Sequence, residues 1–236
     1  MEISGKNVLI TGGLGGFGFA IATALKELGA NIFVFDIREN EEFKCFKVDV
    51  TDEQQVKQAL AQIEKIDVLI NCAGEIYSEP FINVMSKGDK RHSRESWDRV
   101  INNNLTSVFN MSVQVSEKMA AKRTKGVIIS FSSISAQGNA GQVAYSAAKA
   151  GIESMTKVIA KEMGMFKIRA VAIAPGFIDT PSTRKAMTEA MLDYWKRQTP
   201  MRKLGQLDDI IETIKYIIKN DYLSGCTIPV DGALTL

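Results

Sequence analysis

The chain has 236 residues, and its hydrophobic content of 45% and charged content of 24% are those of an ordinary soluble globular protein. A net charge of +2 argues against nucleic-acid partners and membrane surfaces, and no apolar run is long enough to span a bilayer, so we expect a cytoplasmic location. Three scattered cysteines and one histidine argue against a disulfide framework and against a metal site.

The N-terminal part of the chain predicts a dinucleotide-binding unit. An apolar run over residues 7–11 leads into the glycine-rich segment 11–18, and apolar residues at helical spacing follow. A second apolar strand, residues 32–35, ends on Asp36, 18 residues after Gly18. This order of strand, glycine turn, helix, strand and acid is typical of a fold that binds a pyrophosphate at a helix N-terminus.

The connection after Asp36 is unusually short. About six residues separate Asp36 from the next apolar segment, residues 43–48, whereas a crossover between parallel strands normally takes about a dozen or more. We therefore predict that residues 38–42 connect the two strands without a helix, which leaves the adenine side of the site thinly covered.

Strands and helices alternate through the rest of the chain, with no linker and no internal repeat. Residues 75–95 are predicted to form a polar loop. Residues 177–204 are predicted to form a lid over the substrate, the alternative being that their apolar side chains pack a surface helix. The pattern predicts a single doubly wound α/β domain of the Rossmann type over residues 1–236, with a parallel sheet of about seven strands. Further strands are predicted at residues 67–70, 126–131, 168–174 and 226–230.

Tyr145 and Lys149 point to proton transfer. They lie one helical turn apart, and an ammonium beside a phenol lowers the pKa of the phenol toward the range useful for acid–base catalysis. An isolated pair of this kind is more often a solvated surface pair, so its neighbours decide the interpretation. Serines precede it, and Asn104 lies in an apolar helix stripe, where a polar side chain without partners costs about 1–3 kcal/mol.

These motifs resemble those of the short-chain dehydrogenase/reductase family over essentially the whole chain. The resemblance implies that Asn104, Ser132, Tyr145 and Lys149 are catalytic; Ser133 is the alternative serine, because the family's serine typically precedes the tyrosine by 13 residues. It assigns the following residues to the cofactor: Thr11, Gly12, Leu14, Gly16, Phe17, Gly18, Asp36, Ile37, Asp49, Val50, Asn71, Ala73, Gly74, Tyr145, Lys149, Pro175, Gly176, Ile178 and Thr180.

The resemblance also implies a mechanism in which hydride moves between nicotinamide and a secondary alcohol or ketone. Ser132 donates a hydrogen bond to the substrate oxygen, and Tyr145 transfers the proton. Lys149 lowers the pKa of the tyrosine and holds the nicotinamide ribose, while Asn104 anchors a water that leads to solvent. Asp36 accepts hydrogen bonds from the adenosine ribose and repels a 2′-phosphate, so the expected cofactor is NAD(H) rather than NADP(H). Arg38 works against this preference, because a guanidinium two residues after Asp36 can swing toward a phosphate.

Within the family, the motifs NCAG at residues 71–74 and GQVAYSAAKAG at residues 141–151 are most similar to type 2 3-hydroxyacyl-CoA dehydrogenases, and APGFIDT at residues 174–180 to 3-oxoacyl-ACP reductases. We expect a small-molecule substrate, a 3-hydroxyacyl or 3-oxoacyl thioester or a similar apolar hydroxy compound. The alternatives are an NADPH-dependent 3-oxoacyl-ACP reductase, a 2,3-dihydro-2,3-dihydroxybenzoate-type diol dehydrogenase and a non-catalytic dinucleotide sensor. The helices around residues 97–121 and 143–165 carry more apolar surface than one sheet face needs. The family resemblance implies that they pair in a homo-oligomer, a dimer or tetramer, although internal packing would give the same pattern.

Overall fold

The computed structural model describes the backbone of all 236 residues and every side chain except those of Ser182 and Ala186. Over this backbone, seven strands form one sheet in which all neighbouring strands are parallel. The strands are β1 (Asn7–Thr11), β2 (Asn31–Asp36), β3 (Lys44–Lys47), β4 (Val68–Asn71), β5 (Gly126–Phe131), β6 (Ile168–Pro175) and β7 (Cys226–Val230).

The strand order in the sheet is β3-β2-β1-β4-β5-β6-β7. It reverses between β1 and β4, and in open parallel sheets ligands bind at the carboxyl ends of the strands beside such a reversal. The predicted doubly wound α/β fold is confirmed. The helices are α1 (Gly16–Glu27), α2 (Glu53–Ala61), α3 (Arg94–Ile101), α4 (Ser107–Ala121), α5 (Val143–Met163), α6 (Pro181–Ala186), α7 (Glu189–Gln198) and α8 (Leu207–Lys219).

The sheet lies between two apolar layers. Successive residues of β1 point to opposite faces, so that Val8 and Ile10 pack in one layer with α1 and α8, and Leu9 packs in the other with α2 and α4. Both layers bury branched aliphatic side chains almost completely, which fixes the strand ends where the predicted site residues lie. None of the described helices is both long enough and apolar enough to cross a membrane.

The edge of the sheet at β3 lacks a covering helix. Residues 37–43 connect β2 to β3 without helical structure in the described backbone, as the short spacing predicted. Phe43 is buried there and packs edge-on against Phe19 of α1, with ring centroids 5.5 Å apart. The Lys26 ammonium of α1 lies 5.2 Å from the Phe43 ring and donates to the carbonyl of Glu42. One aromatic residue and α1 therefore cover part of the face where a crossover helix would pack.

The segment between β4 and α3 is an arm rather than an irregular loop. An antiparallel bridge joins Ile82 to Arg91, so that this arm, residues 75–93, doubles back on itself. At its base the Glu79 N–H donates to the carbonyl of Gly141 at 2.7 Å. The arm therefore rests against the loop that leads into α5, the helix that carries Tyr145.

Candidate active site

The glycine turn after β1 packs closely against neighbouring backbone at Gly12 and at Gly18. Gly12 adopts a φ of +62°, and a Cβ there would lie 2.8 Å from the Cα of Ala73. A Cβ on Gly18 would lie 2.2 Å from the carbonyl oxygen of Gly12, so only glycine fits. The Thr11 hydroxyl accepts hydrogen bonds from the N–H groups of Cys72 and Ala73 and ties the end of β1 to that of β4. The first turn of α1, which contains Gly16 and Phe17, thus points its free N–H groups at the reversal point, where they suit a pyrophosphate.

Asn104 lies in a π-helical turn, Asn102–Thr106, between α3 and α4. Such single π turns inside α-helices occur frequently at functional sites. The amide is fully buried; its Oδ1 accepts from the N–H of Glu75 at 3.2 Å and its Nδ2 donates to a carbonyl in the preceding turn. A Cβ on Gly74 would lie 2.6 Å from this Oδ1 and 3.9 Å from the Lys149 Nζ. The structure thus brings Asn104, Gly74 and Lys149 together.

Lys149 is almost completely buried, with 5% of its surface exposed. Its ammonium donates to the carbonyl of Phe131 at 2.8 Å and lies 5.5 Å from the centre of the Tyr145 ring. Burial lowers the pKa of Lys149 to about 8, because a charged amine loses hydration there. The same burial raises the pKa of the Cys72 thiol to about 12, so this cysteine is neutral.

The pKa of Tyr145 moves in the direction opposite to the one predicted. Burial raises the pKa of the phenol, and a hydrogen bond with the Ser133 side chain offsets part of the rise. Lys149 does not lower it, since its ammonium lies over the ring and is directed at the carbonyl of Phe131. The phenol is therefore protonated near neutral pH, the form that donates a proton.

The two serines after β5 point in different directions. The Ser132 hydroxyl is buried and donates to Glu153 Oε1 at 2.8 Å, with the carbonyl of Lys149 also in reach at 3.2 Å. Ser133 is the serine whose side chain lies close enough to Tyr145 to lower the pKa of the phenol, while its hydroxyl also accepts from the N–H of Ser135 at 3.1 Å. The predicted catalytic serine, Ser132, thus faces the body of α5, and the alternative serine faces the phenol.

Strand geometry explains this arrangement. The N–H of Ser132 donates to the carbonyl of Ile173 at 2.7 Å, so the β ladder continues one residue past Phe131. Successive side chains of an extended chain point to opposite faces, which sends Ser133 to the side opposite Ser132. The spacing from Ser133 to Tyr145 is 12 residues rather than 13. Continuing the in–out alternation of β5 through the serines would have identified Ser133 from sequence.

Gln142 is a residue of this site that the sequence did not single out. Its Oε1 accepts from the Ser135 hydroxyl at 2.9 Å and from the Asn139 amide at 3.0 Å, and its Nε2 donates to the Ser78 hydroxyl at 3.1 Å. It therefore ties the loop after β5 to the arm, one turn before Tyr145. In the sequence, Gln142 stands three residues before Tyr145, a spacing that places it one helical turn from the phenol and could have indicated it.

The end of β6 supplies the next predicted residues. A Cβ on Gly176 would lie 2.8 Å from the Cα of Asp231, so the chain after Pro175 passes close to the end of β7. Ile178 is buried, and the Thr180 hydroxyl accepts from the N–H of Thr183 as the N-cap of α6. Both residues lie at the same edge of the sheet as the glycine turn.

Asp36, at the end of β2, has a fully engaged carboxylate. Its Oδ2 accepts from the N–H of Leu14 at 3.0 Å and from Arg38 Nη2 at 3.3 Å, and its Oδ1 accepts from the backbone N and the Nε of Arg38 at 3.1 and 3.0 Å. Burial alone would raise the pKa of Asp36, but the hydrogen bonds from Arg38 and Leu14 outweigh it and the pKa is lowered. The acid is therefore ionised and paired.

The remaining predicted cofactor residues surround these positions. Ile37 is exposed beside Asp36, Val50 is buried, and Asp49 accepts from the backbone and hydroxyl of Thr51. The buried Asn71 donates through Nδ2 to the hydroxyls of two serines. The predicted residues of the strands and of the loops that follow them thus lie at the carboxyl ends of β1, β2, β3, β4, β5 and β6, while Asn104, Tyr145 and Lys149 are carried by helical segments.

Comparisons with known proteins agree with this architecture. Residues 6–190 match the family model described as short chain dehydrogenase. The chain is 34% identical to the 3-oxoacyl-[acyl-carrier-protein] reductase FabG of Thermotoga maritima over the whole of both chains. It is 33% identical to the 3-hydroxyacyl-CoA dehydrogenase type-2 of Bos taurus, covering 100% of this chain and 97% of the relative. It is 34% identical to the acetoacetyl-CoA reductase of Allochromatium vinosum, covering 96% and 97%.

A solved structure shares the fold closely. The crystal structure of a putative gluconate dehydrogenase from Agrobacterium tumefaciens superposes with a TM-score of 0.87 at 26% identity, covering 98% of this chain and 96% of the other. The family model covers most of the chain, and relatives above 30% identity cover it from end to end. The chain belongs to the short chain dehydrogenase family and is an oxidoreductase that uses a nicotinamide dinucleotide.

Proposed function

We propose that the protein interconverts a 3-hydroxyacyl thioester and the corresponding 3-oxoacyl thioester, with NAD(H) as the preferred cofactor. The observation that carries the chemistry is the grouping of the buried Tyr145, Lys149 and Asn104 with the half-buried Ser133 at the reversal of the strand order. The thioester class is supported by relatives named for 3-oxoacyl-carrier-protein, 3-hydroxyacyl-CoA and acetoacetyl-CoA substrates.

Each residue has a role that follows from its surroundings. The phenol of Tyr145 holds the transferred proton, because burial keeps it protonated near neutral pH. The Ser133 hydroxyl, which contacts that phenol, donates to the substrate oxygen and stabilises the charge that develops there. The Lys149 ammonium lies 5.5 Å from the centre of the Tyr145 ring. Asn104 accepts a hydrogen bond from the backbone N–H of Glu75 and holds that segment in place. The bound dinucleotide supplies or accepts the hydride.

The cofactor end of the site fits this proposal. The glycine turn offers a cradle that a Cβ would fill, and Asp36 offers the acid that ribose hydroxyls require. We propose that Asp36 favours NAD(H) over NADP(H), as the sequence predicted. Arg38 opposes this preference, because its guanidinium pairs with the Asp36 carboxylate.

The segment 177–204 is proposed as a lid over the acyl chain of the substrate. The rings of Phe177 and Trp195 stack with centroids 4.1 Å apart, and Tyr194 packs edge-on against Trp195. Met191 and Met201 are exposed on the same segment. Flexible methionine side chains beside a rigid aromatic stack suit an apolar chain of variable length.

The helix pair α4 and α5 is proposed as the contact between copies of the chain, in a dimer or tetramer. Phe109 and Val113 are exposed one turn apart on α4, and Val158 is exposed on α5. Large apolar side chains on a charged soluble protein favour such a contact. Phe109→Glu is expected to reduce the mass measured by sedimentation equilibrium; an unchanged mass would reject this interface. We propose a cytoplasmic location, because substrate and cofactor are soluble metabolites.

The test is a cofactor-coupled absorbance assay with 3-oxoacyl-CoA thioesters of four to ten carbons, the matching carrier-protein thioesters and a cyclic diol. We expect turnover of the thioesters with an efficiency that depends on chain length. Efficiency at least tenfold higher with carrier-protein thioesters would favour the 3-oxoacyl-ACP reductase alternative that FabG-type relatives support. Turnover of the diol alone would replace the thioester proposal, and cofactor binding without any turnover would favour a dinucleotide sensor.

A further inference from the structure

Glu79 ties the base of the arm to three neighbouring segments. Its backbone N–H donates to the carbonyl of Gly141 at 2.7 Å, and its carbonyl oxygen lies 3.3 Å from Nδ1 of the buried His92 ring. Its carboxylate accepts from the N–H of Ser93 at 3.0 Å through Oε1 and from the Tyr77 hydroxyl at 3.2 Å through Oε2. Every polar atom of Glu79 therefore has a partner in the arm, in the loop before α5 or at the start of α3.

The contact with Ser93 places the acid at the N-terminus of α3. Ser93 is the N-cap of this helix, and its hydroxyl accepts from the N–H of Ser96 at 3.1 Å. Burial alone would raise the pKa of Glu79, but hydrogen bonds from the Ser93 backbone and the Ser96 side chain outweigh it and lower the pKa. The ionised carboxylate therefore holds the start of the helical run that leads through the π turn to Asn104.

The contact with Tyr77 brings the same carboxylate to the start of α5. The Tyr77 ring packs against the small apolar cluster that contains Val100 and Tyr145. The Arg99 guanidinium of α3 lies 4.6 Å from the centre of the Tyr77 ring, so Glu79 holds the hydroxyl end of this side chain while Arg99 covers its face. Tyr77 is thus fixed beside Tyr145, and its position depends on the acid.

We propose that Glu79 is a positioning residue that holds Tyr145 and Asn104 in the geometry needed for proton transfer. Its carboxylate acts through Tyr77 and through the start of α3, and its hydrogen bonds go to these groups rather than to the phenol. A displacement of about 1 Å in a catalytic group can reduce the rate about 100-fold. This role rests on the proposed use of Tyr145 and deepens it.

Substitutions of Glu79 separate the carboxylate from the backbone. Glu79→Ala removes the carboxylate and keeps the hydrogen bond to Gly141. We expect kcat to fall about tenfold or more, with the dissociation constant for NADH within about twofold of the wild-type value. Glu79→Gln keeps an oxygen for the Ser93 N–H, and its amide can donate to the Tyr77 hydroxyl, so kcat should stay within about threefold of the wild-type value.

A double-mutant cycle with Tyr77→Phe tests the route of this effect. Tyr77→Phe keeps the ring and removes the hydroxyl that Glu79 holds, and we expect it to lower kcat about fivefold or more. The double variant should have a kcat no more than about twofold below that of Glu79→Ala, because both changes break the same contact. Losses that multiply would show that Glu79 does not act through Tyr77 and would overturn the proposal.

Asp89→Ala is the matched control. Asp89 is a second carboxylate of the arm, and it pairs with its neighbour Arg91, with Oδ2 2.9 Å from Nη2. Its kcat should stay within about twofold of the wild-type value, and a loss equal to that of Glu79→Ala would overturn the proposal. Thermal unfolding of each variant identifies loss of the fold; should Glu79→Ala not fold, an unchanged kcat in Tyr77→Phe would overturn the proposal.

The kinetics use whichever substrate the wild type turns over best. A wild type that turns over the diol alone would refute the thioester proposal and would still test Glu79 on the diol. An active wild type with unchanged kcat in Glu79→Ala would overturn the positioning role alone. A wild type that binds NADH without turning over any substrate would overturn both.

Discussion

The proposed catalytic centre and the proposed adenosine edge of this molecule are held by different interactions. At the centre, Tyr145, Lys149 and Asn104 are buried on helical segments that pack against the sheet, and hydrogen bonds hold Lys149 and Asn104. At the edge, Arg38 is exposed beside a connection with no helix, and its partner Asp36 is held by an ion pair. Desolvation therefore sets the protonation states at the centre, while an ion pair keeps the carboxylate ionised at the edge. Substitutions at the centre should change kcat, and substitutions at the edge should change the KM for the dinucleotide.

The largest effect is expected for Tyr145→Phe. Loss of a positioned acid–base group should reduce kcat by at least about 10²- to 10⁴-fold, while NADH affinity stays within about twofold because the ring remains packed in its place. Steady-state kinetics and fluorescence titration measure the two quantities. Retention of more than a tenth of the activity would exclude Tyr145 as the proton carrier.

The two serines test the geometry of the centre directly. Ser133→Ala should lower kcat by about 10²-fold, the cost of one hydrogen-bond donor to a developing charge. Ser132→Ala should lower it less than tenfold, because that hydroxyl is directed to Glu153, and it should destabilise the fold by about 1 kcal/mol. Parallel kinetics and urea unfolding of the two variants give the comparison. The opposite ranking would restore Ser132 as the catalytic serine.

Lys149→Met is expected to remove activity and stabilise the protein. The pKa of Lys149 is lowered from 10.5 to about 8, so the folded protein disfavours the charged amine at every pH below about 8. A shift of about 2.5 units corresponds to about 3 kcal/mol, and the loss of the hydrogen bond to Phe131 offsets part of it. We expect a net gain of about 1–2 kcal/mol in the free energy of unfolding.

The pH dependence of this gain follows from the direction of the shift. Above about 8 the folded lysine is neutral, and above about 10.5 the unfolded lysine is neutral as well. The stability of the wild type should therefore approach that of Lys149→Met as pH rises from about 8 toward 10.5. Urea unfolding of both proteins at several pH values checks this. A gain that does not change with pH would show that packing, rather than desolvation, causes it.

The smallest effect is expected for Phe43→Leu at the edge. Losing the edge-on contact with Phe19 should cost about 1 kcal/mol and loosen the connection that carries Arg38. The KM for the dinucleotide should rise a few-fold with kcat unchanged. Thermal unfolding and cofactor kinetics measure the two effects. A fall in kcat equal to the rise in KM would show that the edge and the centre are not independent.

Sequence reasoning succeeded where local chemistry decides the structure. The apolar runs gave the bounds of β5 and β7 as observed, and the glycine turn and the helix-free connection were predicted from spacing alone. It does not decide outcomes that depend on which way a side chain points. Ser133 rather than Ser132 contacts Tyr145 because the β ladder extends one residue further than the apolar run.

The direction of the Tyr145 pKa was also beyond the sequence. The i,i+4 spacing shows that Lys149 is near, but not that its ammonium is directed at the carbonyl of Phe131 or that both groups are buried. The pairing of Asp36 with Arg38 required the actual path of residues 37–43. Burial and hydrogen-bond direction depend on how the whole chain packs, so residue patterns alone do not predict them.

The π turn at Asn102–Thr106 sets a limit on changes of chain length. The helical run from Arg94 to Ala121 is continuous through this turn, and one residue advances a helix by about 100°. A π turn holds about one residue more than an α turn, so the helices on its two sides keep their relative rotation. Deleting one residue of the turn would therefore restore the α-helical pitch without rotating Val100 against Met111, and the loss would fall on the Asn104 amide and its hydrogen bond to Glu75. Outside the turn, an insertion or deletion between Val100 and Met111 would rotate one helix against the other by about 100°.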